Sequence, residues 1–136
     1  MPDQAAVTHI DDIEGVRQND EIDAEWKPVR RHFDVRSLGV NAYVAHEPGV
    51  LSEVHTETED SGTRHEELFY VAAGRAEFEV AGERIDAPAG TFVHVRDPAA
   101  ARGAVAREAG TVLLVMGGEP GVPYTVSPWE RAHFAG

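Results

Sequence analysis

From Gly39 to Gly117 the chain alternates apolar and polar residues in short runs, each cut off by Gly or Pro. VNAYVAHE (40–47) ends at Pro48-Gly49, a strong turn pair, and ELFYVAA (67–73) stops at Gly74. In RAEFEVAGERIDAP (75–88), Ala76, Phe78 and Val80 alternate with Glu77 and Glu79, and Ala81-Gly82 supplies a hairpin turn. TFVHVRD (91–97), RGAVARE (102–108) and TVLLVMG (111–117) follow. Six or seven strands at roughly 8–12-residue spacing, with Gly turns and no helices between them, predict an all-β barrel or sandwich.

The helical material is expected only at the two ends. WKPVRRHFDVRSL (26–38) reads as a helix or turn, because Pro28 suits a first helical position and Val29, Phe33 and Val35 can share a face. The chain before it is polar and irregular as far as Glu25, apart from Thr8-His9-Ile10. In the tail, Ser127-Pro128 is the start signal for one short helix. With no long-period repeat, low-complexity tract or linker, residues 1–136 are expected to form one domain: an extension (1–38), a core (39–117) and a tail (118–136).

Charge narrows the partners. Lys and Arg total 12 against 24 Asp and Glu, a net charge of −12, which repels nucleic acid and anionic membrane surfaces. Eleven of the 12 basic residues are Arg, leaving Lys27 as the one lysine and little scope for Schiff-base chemistry. No cysteine is present, so disulfides and Cys-zinc sites are ruled out, and a cytoplasmic location is expected. The opening MPDQAAVTHIDDIEG has neither the basic nor the apolar region of a secretory signal. The longest apolar runs, such as TVLLVMGG, fall well short of the roughly 20 residues a membrane helix needs.

The candidate chemistry lies in VHTETEDSGTRHEELFYVAAG (54–74), which carries two His-x-Glu pairs, His55/Glu57 and His65/Glu67. Residues i and i+2 of a strand point to one face, so each pair can project together. If both pairs face the interior, two imidazoles and two carboxylates form a mixed N/O shell suited to iron, manganese, zinc or nickel. His94, on a later strand, is a further candidate ligand. Carboxylates buried together are costly without a cation, which is the physical argument for a metal. Against it stand ordinary surface readings for Glu57 in the acidic string 57–60 and for His65 at the end of a loop, and a core reading for His94. Asn41 and Tyr43 share a strand face and are candidates to line a cavity. Trp26 and Trp129 read as packing the ends of the chain onto the core or onto a second subunit. His9, His32, His46 and His133 have no spacing that pairs them. No G-x-S-x-G, P-loop, G-x-G-x-x-G or H-E-x-x-H pattern occurs; the residue four after His65 is Phe69.

These residues resemble the cupins. Their first motif, G-x5-H-x-H-x3–4-E-x6-G, is matched at Gly49, His55, Glu67 and Gly74. Glu57 stands where the second histidine belongs, and nine residues separate it from Glu67. Counting the second motif, G-x5-P-x-G-x2-H-x3-N, from Gly90 places Ala101 at the last ligand, with Arg102 next to it. The resemblance covers about residues 39–117. It implies a double-stranded β-helix, or jelly-roll barrel, with a site at its open end and a homodimeric assembly. Two functions are then expected to compete: a divalent-metal-dependent enzyme acting on a small molecule in the cavity, and a metal-free small-molecule-binding or structural cupin.

Overall fold

The computed structural model describes residues 4–58 and 64–134. The alternating segments form strands: β3 (Gly39–Ala45), β4 (Gly49–His55), β5 (Glu66–Ala73), β6 (Arg75–Val80), β7 (Glu83–Pro88), β8 (Phe92–Val95), β9 (Arg102–Ala106) and β10 (Thr111–Gly118). Between β6 and β7, Ala81 and Gly82 both have positive φ (49° and 84°), the geometry of the tight hairpin turn. Gly74, at φ 74°, lets β5 run straight into β6; a Cβ there would collide with Thr111.

The N-terminal stretch is more ordered than its polarity suggests. Val16–Arg17 (β1) and Glu25–Lys27 (β2) pair with each other, and β2 then pairs with β3. Trp26 and Lys27 are therefore strand residues, and Pro28 is the N-cap of helix α1 (Val29–Phe33) rather than its first residue. Part of the cause is local: a residue preceding proline is pushed out of the helical region, which keeps Lys27 in the strand. Ser127 opens helix α2 (Pro128–Phe134), its Oγ accepting from the Glu130 N–H at 3.2 Å.

The strands build two antiparallel sheets, in the orders β1-β2-β3-β10-β5-β8 and β4-β9-β6-β7. The expected jelly-roll architecture is thus present as two facing sheets with short helices toward the ends of the chain. Leu51, Val71, Phe78 and Leu113 are fully buried between them. Phe69 of β5 meets Phe78 of β6 edge-on, 5.3 Å between centroids, joining the layers. Burying one such side chain contributes about 1.5–3 kcal/mol.

Register decides what faces the interior. Val95, Glu67 and Gly117 are neighbours across β8, β5 and β10, and Gly39 follows on β3. The next inward row is Val93, Phe69, Val115 and Asn41; beyond it, Tyr43 lies beside Trp26 of β2. The interior is mostly apolar, and its Glu67 carboxylate, Asn41 amide and Tyr43 phenol stand in three successive rows that line the cavity where the site forms.

Candidate metal and small-molecule site

His55 is the last residue of β4, and Glu67 is the second residue of β5 in the opposite sheet. Glu57 lies just past β4, fixed by its backbone N–H donating to the Pro98 carbonyl at 2.8 Å. One ligand atom from each of these three residues falls within 4.8 Å of the other two. His55 Nδ1 is 2.8 Å from the Glu53 carbonyl oxygen, which can only accept, so Nδ1 carries the proton. Nε2 is thereby directed to the centre, 3.5 Å from Glu57 Oε2. Fixing one ring nitrogen on a carbonyl is how proteins orient a ligating imidazole.

Arg102 completes the cluster. Its side chain is 0% exposed, and Nη1 donates to Glu67 Oε1 at 2.7 Å. The rest of the guanidinium donates to the carbonyls of Ala100 and Asp97, at 2.8 and 2.9 Å. Burial and the charge of Glu57 push the Glu67 carboxyl up to about 7, against the downward pull of Arg102. The Glu57 carboxylate raises the His55 imidazole, opposed by partial burial. Tyr43 is raised too, first by burial and then by the carboxylate of Glu67, so its hydroxyl stays protonated.

These groups open onto a cavity of about 580 Å³, lined also by Asn41, Ser52, Trp26 and Trp129. The volume is that of a small-molecule site. Asn41 and Tyr43 line it as their strand face suggested, and Trp26 and Trp129, which the sequence assigned to end-packing, line it as well.

The other two histidines do not join the centre. His65 precedes β5 and packs on the Tyr124 ring, 5.7 Å between centroids. His94 pairs across the strands with Leu68, on the opposite face of the sheet from Glu67, and its Nε2 lies 3.1 Å from Glu66. It borders a separate hollow of about 480 Å³ floored by Leu68 and Met116. The i/i+2 rule explains this: Val93 and Val95 take the inward positions, so His94 points out. Of the long acidic segment, residues 59–63 lie outside the described residues.

No family model and no curated protein sequence matches the chain. Solved structures do. KdgF from Halomonas sp. superposes with a TM-score of 0.56 at 19% identity, covering 76% of this chain and 86% of that one. A cupin protein from Bacteroides fragilis gives 0.58 at 17%, covering 83% and 87%. A sugar phosphate isomerase of the cupin superfamily from Silicibacter pomeroyi gives 0.66 at 16%, covering 84% and 76%. The chain has the cupin fold.

Within this fold the arginine is the informative departure. Counting along the sequence puts Ala101 at the last ligand position of the second motif. The ladder instead sets Arg102 directly opposite His55 on the adjoining strand. A cation that belongs to the chain is therefore paired across from His55, one residue after the position that counting assigns to the motif's last ligand. The sequence signal was an arginine opening an otherwise small and apolar strand, RGAVA, but linear spacing did not reveal its partner.

Proposed function

We propose that the cavity is a small-molecule site whose reactive end is a divalent-metal centre held by His55, Glu57 and Glu67. The observation that carries this reading is the convergence of one imidazole nitrogen and two carboxylates within 4.8 Å, with the imidazole oriented from behind by Glu53. One nitrogen and two oxygens suit manganese, iron, zinc or nickel. A metal held there would supply Lewis-acid polarisation of a ligand oxygen, or activation of water or dioxygen. The chain's own residues bind and orient: the Tyr43 hydroxyl, kept protonated, donates to a ligand oxygen, and Arg102 holds Glu67 in one rotamer. Titration with Mn²⁺, followed by its paramagnetic resonance signal, tests the reading. Saturable one-to-one binding that is lost in Glu57→Gln supports it; identical weak binding in both proteins removes it.

Arg102 favours a second reading. With Glu57 and Glu67 ionised, a protonated His55 and Arg102 balance them without any metal, so the same cavity could bind its ligand metal-free. His55 and Glu57 would then act as a proton-carrying pair. Ligand binding that survives chelation and dialysis selects this alternative.

A further inference from the structure

We propose that Trp129, backed by Trp26, is a second subsite of this cavity that takes an uncharged ring of the ligand. The inference rests on reading the cavity as a small-molecule site, and it names the class of molecule. Trp26 is on β2 and Glu67 on β5, three strand spacings apart in the same sheet, which is roughly 14 Å. The cavity therefore has two ends, a carboxylate-imidazole end and an aromatic end, and a ligand filling it carries a polar head and a ring.

Trp129 is rigidly placed yet open. His133 packs against it in a tilted contact, 4.0 Å between centroids, and Trp26 meets it at 90°, 4.5 Å between centroids. Its helix is tied down by the next residue, Glu130, 3% exposed and paired with buried Arg30 at 3.1 Å. Trp129 nonetheless remains 40% exposed while Trp26 is 3% exposed. The part of the indole left open where it lines the cavity is an aromatic surface against which another ring can pack.

Charge sets what that ring can carry. Among the described residues lining the cavity the ionisable side chains are Glu53, His55, Glu57, Glu67 and Tyr43; none is Lys or Arg. Arg102 is sealed behind Glu67, its guanidinium committed to that carboxylate and to backbone carbonyls. A phosphate on the ring would meet no Lys or Arg among the described residues that line the cavity. Neutral hydrogen-bonding groups are present instead. Asn41 Oδ1 accepts from the Arg30 N–H at 3.3 Å, which leaves its amide N–H groups for the ligand. Gln18 donates to the Leu51 carbonyl at 2.6 Å, which leaves its oxygen as an acceptor. The class is an uncharged ring with hydroxyl or carbonyl substituents, either a sugar or an aromatic.

Ligand-observed NMR titration of the full chain with methyl glucoside, benzyl alcohol and glucose 6-phosphate tests this. Saturable binding of either neutral ring is expected, the one that binds identifying the source, with glucose 6-phosphate at least about tenfold weaker than the glucoside. Trp129→Phe keeps a flat face and should stay within about threefold of wild type. Trp129→Leu keeps the apolar packing without the face and should lose about tenfold. Equal affinities in the two variants, no saturable binding of either ring, or a phosphate bound as tightly as the glucoside overturns the inference. Mn²⁺ affinity measured on the same proteins separates the two claims. It should be unchanged in Trp129→Leu, and its absence in wild type would remove the metal centre while leaving the ring result standing.

Discussion

Arg102 donates to Glu67 from behind the cavity at 2.7 Å while its Cα lies in register with His55 on the neighbouring strand. One residue thus ties the carboxylate of one sheet to the imidazole-bearing strand of the other. Because the guanidinium is fully buried, its removal leaves a buried carboxylate without its partner. Arg102→Met should lower stability by about 3–5 kcal/mol in urea unfolding. The double variant Arg102→Met, Glu67→Gln should recover most of that loss, since no lone charge remains. Arg102→Lys should recover little, because an ammonium cannot reproduce the fork that also grips the Ala100 and Asp97 carbonyls.

Both shifted groups of the centre hold their protons more tightly in the folded protein than in the unfolded chain. Glu67 is pushed up to about 7 and His55 is raised above 6.5. Their contribution to stability is therefore complete below their unfolded values and is lost as pH rises through the folded ones. A metal must displace the same protons, so its affinity runs the other way. Chelator-treated protein should lose this part of its urea resistance between about pH 5 and pH 8, whereas Mn²⁺ affinity should climb over that window. Urea unfolding reads the first and titration calorimetry at fixed ionic strength the second, and a flat Mn²⁺ profile would count against protonated ligands.

Gly117 lies beside Glu67 in the inward row, and a Cβ there would press on the Glu66 carbonyl and sit 3.3 Å from Glu67 Cγ. Gly117→Ala should cost about 1–3 kcal/mol as backbone and carboxylate move apart. Mn²⁺ affinity should fall with it. The neighbouring Gly118→Ala, whose Cβ would make only an ordinary contact 3.9 Å from Tyr124, should leave metal binding intact.

Glu130 and Arg30 are a hundred residues apart in sequence, both buried, and joined at 3.1 Å. Glu130→Gln should loosen α2 and expose Trp129 further, seen as a red shift in tryptophan emission together with a lower melting temperature. A large part of the 3–5 kcal/mol typical of a broken buried pair is expected, since Arg30 loses its charged partner.

The strand segments of the core and the 75–88 hairpin were legible in the sequence because period two and the Ala81-Gly82 turn are local signals. That Asn41 and Tyr43 share a face followed from the same rule; that this face lines the cavity came from the sheet pairing. His55 and Glu67 were marked by motif spacing, and Glu57 by its position two residues on. What stayed hidden was non-local. The outward turn of His94 depends on which face of β8 is buried, and the pairing of Arg102 with Glu67 depends on two ladders in two sheets. The strand at Trp26 was masked by the helix-like pattern after Pro28, and the contact between Trp26 and Trp129 joins opposite ends of the chain.

The most direct test of the central claim is the metal content of untagged protein, measured by elemental analysis alongside His55→Ala. The account predicts close to one equivalent of manganese, iron, zinc or nickel per chain in the wild type, and its loss in a variant that still melts cooperatively. Wild-type protein that carries no metal and takes up none from a supplemented buffer would contradict it.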